Sequence, residues 1–361
     1  MGKKLFDYVI GNPPYNEDFS KSGDNGNYAK PVYNAFMDAT NAVAEKVELI
    51  HPARFLFDAG STPKQWNEKM LHDPHFKVLK YVPDSSKVFA SQEIKGGVAI
   101  TYHNESVDYG AIQIFTEAPL LNSMLKKVLS FLPPFLSLES ISVSGYAYHF
   151  TEALYHDHPE ILTMTYVSKG KEVPLISTGH KYDLKSNIID KLPMVFLKEK
   201  PSDGEQYAMI VGRENQERVN RYIKRSYLNN VSNFDRYKIF LPKAAGVGEF
   251  GEALPSAIIA GPGTGSTETF FSIGSFSTNI EACNLDKYLK TKCARALLSI
   301  TKKTQMMTPG NFKYVPLQNF TPSSDIDWSN SIHEIDLQLY HKYGFDEDEI
   351  NYIETNVKEM D

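Results

Sequence analysis

The chain has 361 residues, 42% hydrophobic and 23% charged, with a net charge of −6. That length admits two domains, and the acid excess excludes a general polycation, so any nucleic-acid contact must come from local basic clusters. No uninterrupted apolar run is long enough to cross a bilayer, and the N-terminus enters a strand with no leader ahead of it.

The elements are read in chain order. A short buried strand, "DYVIG", runs straight into Asn12-Pro13-Pro14-Tyr15. A helix is expected over 30–46, with Val32, Phe36, Ala39 and Val43 at helical spacing and Lys30-Pro31 at its start. A strand over 47–57 follows, then a helix over 63–73 and strands over 76–83 and 96–105. Alternating strands and helices with short links predict an α/β sheet covered on both faces over residues 1–120.

A connecting helix follows, ending at Pro133-Pro134. Between 140 and 280 the apolar runs are short and broken by Gly, Pro and Asn, which predicts a β-rich domain. Residues 284–303 read as one helix with Leu285, Leu289, Ala296 and Ile300 on one face. Two short helices close the chain, the first stopped by Gly344 and the second capped by Asp346. The expected layout is an α/β part over 1–120, a β-rich part over 121–325 and a helical tail over 326–361. Cys283 and Cys293 form neither a disulfide framework nor a zinc spacing, which suits a reducing cytoplasm.

Two consecutive prolines cannot extend a sheet ladder or sit inside a helix, so Asn12–Tyr15 reads as a stiff backbone at a strand end. The arrangement suits one difficult reaction. The exocyclic amine of a nucleobase is a poor nucleophile, because its lone pair is delocalised into the ring. Two acceptors aimed at its hydrogens localise that pair, and an aromatic face holds the ring. The Asn12 side chain, a fixed Pro13 carbonyl and Tyr15 supply all three, with Pro14 completing the rigid backbone, once the base is flipped out of the duplex.

Asn12-Pro13-Pro14-Tyr15 resembles the (D/N/S)PP(Y/F/W) motif of DNA amino-methyltransferases, and its form points to adenine-N6. "YNAFMDA", "ELIHPARFL" and "VFASQEIKGGVAITY" resemble segments of the γ-arranged, Eco57I-like modification methylases. The resemblance implies a restriction–modification enzyme using S-adenosylmethionine on double-stranded DNA. It makes residues 1–120 a partial Rossmann-like catalytic sheet, places an aromatic, here Phe89, against the flipped base, and makes the β-rich part over 121–325 a target-recognition, DNA-binding domain. The Gly-rich strand–turn–helix that binds the methyl donor in that family stands ahead of the motif, where only eleven residues are found here. Gly261, Gly263 and Gly265 follow an apolar run but lead into strand-like sequence, so they read as a structural loop. The resemblance therefore implies a separate cofactor-binding partner, or a chain that keeps DNA binding alone.

Two further patterns are open. Asp84, Glu93 and Lys95 spell the loose PD…ExK signature of metal-dependent nucleases. Arg213, Arg218, Arg221 and Arg225 form one basic cluster, with Arg218, Arg221 and Arg225 on one face if that stretch is helical. Lys287, Lys290, Lys292, Arg295, Lys302 and Lys303 form another. With Lys95, both clusters are candidates for phosphate contacts.

Overall fold

The computed structural model describes residues 4–17, 30–57, 60–89, 94–131, 136–168 and 170–360. The chain divides into two compact units, 1–122 and 123–361.

The first unit comprises β1 (Phe6–Gly11), α1 (Tyr33–Val43), β2 (Ala44–Pro52), α2 (Lys64–Leu71), β3 (Phe76–Val82) and β4 (Val98–Asn104). They make one sheet of order β1-β2-β4-β3, with β1 parallel to β2 and β4 antiparallel to both β2 and β3. The sheet is α/β, as the alternation predicted, but it is mixed, because β4 runs antiparallel to both its neighbours. The helix expected to reach residue 46 stops at Val43, and the chain turns directly into β2. Pairing in register, Phe6 with Ala44 and Val9 with Val47, wins over the helical spacing of "AEK". The strand expected over 47–57 ends at Pro52, and Arg54–Phe57 form a 3₁₀ turn.

One face of the sheet carries the core. Tyr33 and Met37, one turn apart on α1, meet Val47 and Leu49 of β2. Phe55, Trp66, Met70 and Phe76 complete it.

The second unit takes in α3 (Pro119–Phe131) from residue 123 onward. It continues with β5 (Ser142–Val143), α4 (Glu152–Asp157), β6 (Thr165–Ser168), β7 (Lys171–Pro174), α5 (Ile188–Lys191), β8 (Tyr207–Glu214) and β9 (Glu217–Lys224). It ends with β10 (Tyr237–Pro242), β11 (Ile258–Ala260), β12 (Thr264–Ser266), β13 (Phe270–Phe276), α6 (Asn279–Lys290), α7 (Lys292–Leu298), α8 (Ile332–Tyr343) and α9 (Glu347–Asn356). Three small sheets, β11-β10-β13-β5, β12-β8-β9 and β6-β7, give the expected β-rich texture.

Three expectations are corrected in this unit. Residues 213–225 are not a helix but largely the β8–β9 hairpin and the residue after it. The turn residues Asn215 and Gln216 have φ of 50° and 67°, the left-handed pair that matches strand twist. The helix expected over 284–303 is two helices. Thr291 takes an extended conformation between them, and its hydroxyl donates to Tyr288 O at 2.6 Å and accepts from Ala294 N–H. The tail expected at 326–361 is not separate, since α8 and α9 pack on α7 inside this unit. The predicted caps are in place: Gly344 ends α8 at φ 63°, and Asp346 starts α9 with a reciprocal bond pair to Glu349.

Candidate functional site

Asn12–Tyr15 leave the carboxyl end of β1 and line an open cleft of about 770 Å³. The segment is tied down just beyond the prolines. Tyr15 O accepts from Val32 N–H at 3.0 Å, and Glu17 N–H donates to Lys30 O at 2.9 Å. The rigid dipeptide is thus held between a sheet strand and the start of α1. The exposed Asn12 side chain has no hydrogen-bond partner among the described residues. The Tyr15 hydroxyl is buried without a partner, and burial raises its pKa.

Phe89 stands edge-on to Tyr15, with ring centroids 6.3 Å apart and planes at 72°. Lys95 lines the same cleft. Two stretches distant in sequence, Asn12–Tyr15 and the one that carries Phe89 and Lys95, therefore meet. The Lys95-Gly96-Gly97 turn is shaped by packing. A Cβ on Gly97 would lie 2.3 Å from Val82 O, and one on Gly96 would lie 2.5 Å from Arg54 Cγ, with both glycines at positive φ.

Among the lining residues that sequence reasoning did not single out are Tyr33 and Arg54. The only signal for Arg54 was its place two residues after Pro52 at the end of β2. Tyr33 is in "YNAFMDA", read there only as helix. Its ring stacks on His51 at 5.7 Å, nearly coplanar at 5°. Burial raises the Tyr33 hydroxyl to about 12.

His51 is fully buried behind this wall, with Nε2 2.7 Å from Thr101 Oγ1, and burial pushes its pKa down to about 4. An unfolded histidine titrates near 6.5. Between those values the unfolded chain binds a proton that the folded chain refuses. Stability is therefore expected to fall as pH drops from about 6.5 to 4, by roughly 3 kcal/mol in all. Urea unfolding at pH 7 and pH 4.5 checks this. An unchanged slope in His51→Gln would assign the effect to another group.

The nuclease reading meets a local obstacle. The Asp84 carboxylate caps the turn that follows it, accepting from Ser86 N–H at 3.0 Å and Ser86 Oγ at 2.6 Å. The Ser86 hydroxyl, with its backbone N–H, holds that carboxyl below its usual pKa range. Glu93 lies outside the described residues, and Lys95 projects at the cleft.

The basic clusters separate once burial is known. Lys292, Arg295 and Lys302 were expected to meet phosphate but are interior. Lys292 pairs with Glu354 at 2.6 Å, and Lys302 pairs with Glu252. Arg295 is 1% exposed and donates to backbone carbonyls. They sit where a charged side chain can find partners from three chain segments, which their linear spacing cannot reveal. Arg221 pairs with Glu214, and Arg225 braces its loop by donating to Leu228 O at 2.7 Å while lying over the Phe234 ring. Arg213 and Arg218 face each other across the hairpin and are exposed, as is Lys303. A small cleft beside Arg213 is lined by the exposed Tyr146, with Lys243 Nζ 3.3 Å from its ring centre.

The glycine run does not fit a methyl-donor cradle. Gly265 lies in β12 against the Tyr148 ring, and the chain continues into β13, not into a helix. The lining of the Asn12 cleft includes no carboxylate to hold a ribose.

The structure defines a mixed α/β protein with an open cleft at the carboxyl end of a parallel strand. Residues 1–89 match the Eco57I restriction-modification methylase family. A Mycoplasma pneumoniae protein described as an uncharacterized adenine-specific methylase is 32% identical over 99 residues, which is 27% of this chain. The matched stretch is 23% of that relative's length. The type IIG restriction endonuclease BpuSI aligns over 92% of this chain and 48% of its own, at 10% identity and a TM-score of 0.31. No helix among the described residues is long and apolar enough to cross a membrane.

Proposed function

We propose that this chain holds a flipped adenine for N6-methylation in a restriction–modification system, with S-adenosylmethionine as the methyl donor. The observation that carries this reading is the open cleft in which Asn12-Pro13-Pro14-Tyr15 leaves β1 with Phe89 against Tyr15. The Asn12 carbonyl oxygen and the Pro13 carbonyl accept the two amine hydrogens. The lone pair is then drawn out of the ring and becomes available to an alkyl donor. Tyr15 and Phe89 flank the base and keep water from its faces. Bound S-adenosylmethionine would supply the electrophilic methyl group. The amine's surplus proton then leaves to solvent.

The test needs no donor. A duplex with adenine opposite an abasic site presents a base that is cheap to extrude. The chain is expected to bind it more tightly than the cytosine equivalent. Equal affinity for the two duplexes would sink the adenine reading. Calorimetry with S-adenosylmethionine and the isolated chain is expected to show no binding, and binding there would make the chain self-sufficient.

DNA contact is assigned to Arg213, Arg218 and Lys303, the exposed members of the two clusters, with Tyr146 and Lys243 beside them. Arg213→Ala with Arg218→Ala is expected to lower the slope of log affinity against log salt by about 2, one per phosphate contact. Binding at a series of salt concentrations measures it, and an unchanged slope would place the DNA elsewhere.

A further inference from the structure

The amine-holding chemistry leaves Arg54 and Lys95 without a task, yet both line the cleft that Asn12–Tyr15 opens into. Among the described residues the lining holds these two cations and no carboxylate, in a chain whose net charge is −6. In the same unit Lys4 pairs with Glu105 and Lys69 with Asp38. Arg54 and Lys95 are exposed and have no hydrogen bond or ion pair from their charged heads among the described residues.

The backbone that carries both cations is fixed from several sides. Ala53 N–H donates to Gly97 O at 3.0 Å, which fastens the end of β2 to the turn at Lys95. Gly97 N–H closes that turn by donating to Ile94 O at 3.0 Å. The hydroxyl of the buried Ser85 accepts from Ile94 N–H at 2.8 Å, and Ser85 O accepts from Phe89 N–H at 2.8 Å. One buried residue thus sets both the lysine turn and the ring beside Tyr15. The Arg54 stem runs past two residues that have no Cβ. A Cβ on Gly60 would lie 3.3 Å from Arg54 Cβ, and one on Gly96 would lie 2.5 Å from Arg54 Cγ. Both glycines are at positive φ, 94° and 84°. The guanidinium is near enough to the Tyr33 hydroxyl to oppose the rise in pKa that burial imposes there. A long side chain is thus given a shaped slot while its head is left unpaired.

Two like charges held in one cleft repel, and an anion between them turns that cost into attraction. A planar guanidinium matches two oxygens of one phosphate, and an ammonium adds a compact charge. A nucleotide flipped out of a duplex turns about its backbone, so its flanking phosphates come to the mouth of the pocket that takes the base. We infer that Arg54 and Lys95 form an anion site that grips a phosphodiester flanking the flipped adenine. This inference rests on the methylase reading above. It adds the contact that keeps the nucleotide extruded, since Asn12 and Pro13 reach only the amine.

The probe is the duplex with adenine opposite an abasic site, made also with uncharged methylphosphonates at both phosphates flanking that adenine. The unmodified chain is expected to bind the methylphosphonate duplex at least about tenfold more weakly. Arg54→Gln with Lys95→Gln is expected to show a similar loss on the all-phosphate duplex and to be indifferent to the methylphosphonates. Its preference for adenine over cytosine should persist, because Asn12 and Pro13 are untouched. Arg54→Lys keeps the charge and loses the fork, so its affinity should fall between the two. Equal affinity of the unmodified chain for both duplexes would overturn the inference, and that comparison needs no substitution. Full methylphosphonate sensitivity in the double variant would overturn it as well. A methylphosphonate effect that the double variant abolishes, in a chain that binds adenine and cytosine duplexes equally, would instead sink the functional reading and leave the anion site standing.

Discussion

Asn12→Ala is expected to remove the preference for extrahelical adenine and, in a preparation that methylates DNA, to slow methyl transfer by about 100- to 1000-fold. The size follows from losing one of two fixed acceptors aimed at the reacting nitrogen, where each is worth far more than in water. The side chain is exposed and has no partner among the described residues, so the fold should not register the change. Tm is therefore the control, and quantification of N6-methyladenine by mass spectrometry is the readout. Asn12→Asp keeps an acceptor oxygen at the same reach and should recover part of the rate. Recovery by Asn12→Leu would show that only bulk matters at this position and would end the acceptor role. The neighbouring ring separates stacking from hydrogen bonding. Tyr15→Phe keeps the face and removes a buried hydroxyl with no partner, so it should be neutral in activity and neutral or favourable in stability.

Arg295→Met is expected to cost about 3–5 kcal/mol of stability and to leave DNA affinity unchanged in whatever remains folded. Arg295 donates from Nη1 to Gly251 O at 3.1 Å and from Nε to Lys290 O at 3.2 Å. From Nη2 it donates to Lys358 O at 2.5 Å. One guanidinium thus ties the 251–252 loop and the C-terminal segment to the junction of α6 and α7. Glu252 extends the tie, accepting from Val247 N–H at 2.8 Å and pairing with Lys302. Met preserves the aliphatic stem but leaves the carbonyls without a donor in a buried setting. Arg295→Lys keeps the charge without the fork, so it should be intermediate. The midpoint of urea unfolding reports the loss. A stable Arg295→Met protein with weakened DNA binding would return this residue to the phosphate-contact group.

Local chemistry was legible along the chain. The alternation that gives the first sheet, the stops at Gly344 and Asp346, and the stiff Asn12–Tyr15 strand end all depend on φ restriction, caps and short-range periodicity. Those forces act over a few residues and are written where they act. The aromatic neighbour of Tyr15, Phe89, was reached only through resemblance, because it lies 75 positions beyond Pro14 and periodicity carries no information over that span.

Other features depended on partners far away in sequence. Residues 213–225 carry basic side chains at positions that suit a helix face. The pairing of Ala208 with Ile223 and of Ile210 with Arg221, closed by a left-handed Asn215-Gln216 turn, makes most of the stretch a hairpin. Lys292, Arg295 and Lys302 read as a surface cluster because counting charges cannot see Glu354, Gly251 or Glu252 arriving from other segments. Thr291 broke a helix that periodicity would have continued, because its hydroxyl and the Asp336 carboxylate cap a fresh helix start. Sequence by itself fixed the residue types able to grip an amine and the rigid backbone that carries them. Tertiary structure decided which charges face water and which are buried in pairs, because burial and pairing depend on residues that meet only after the chain has folded.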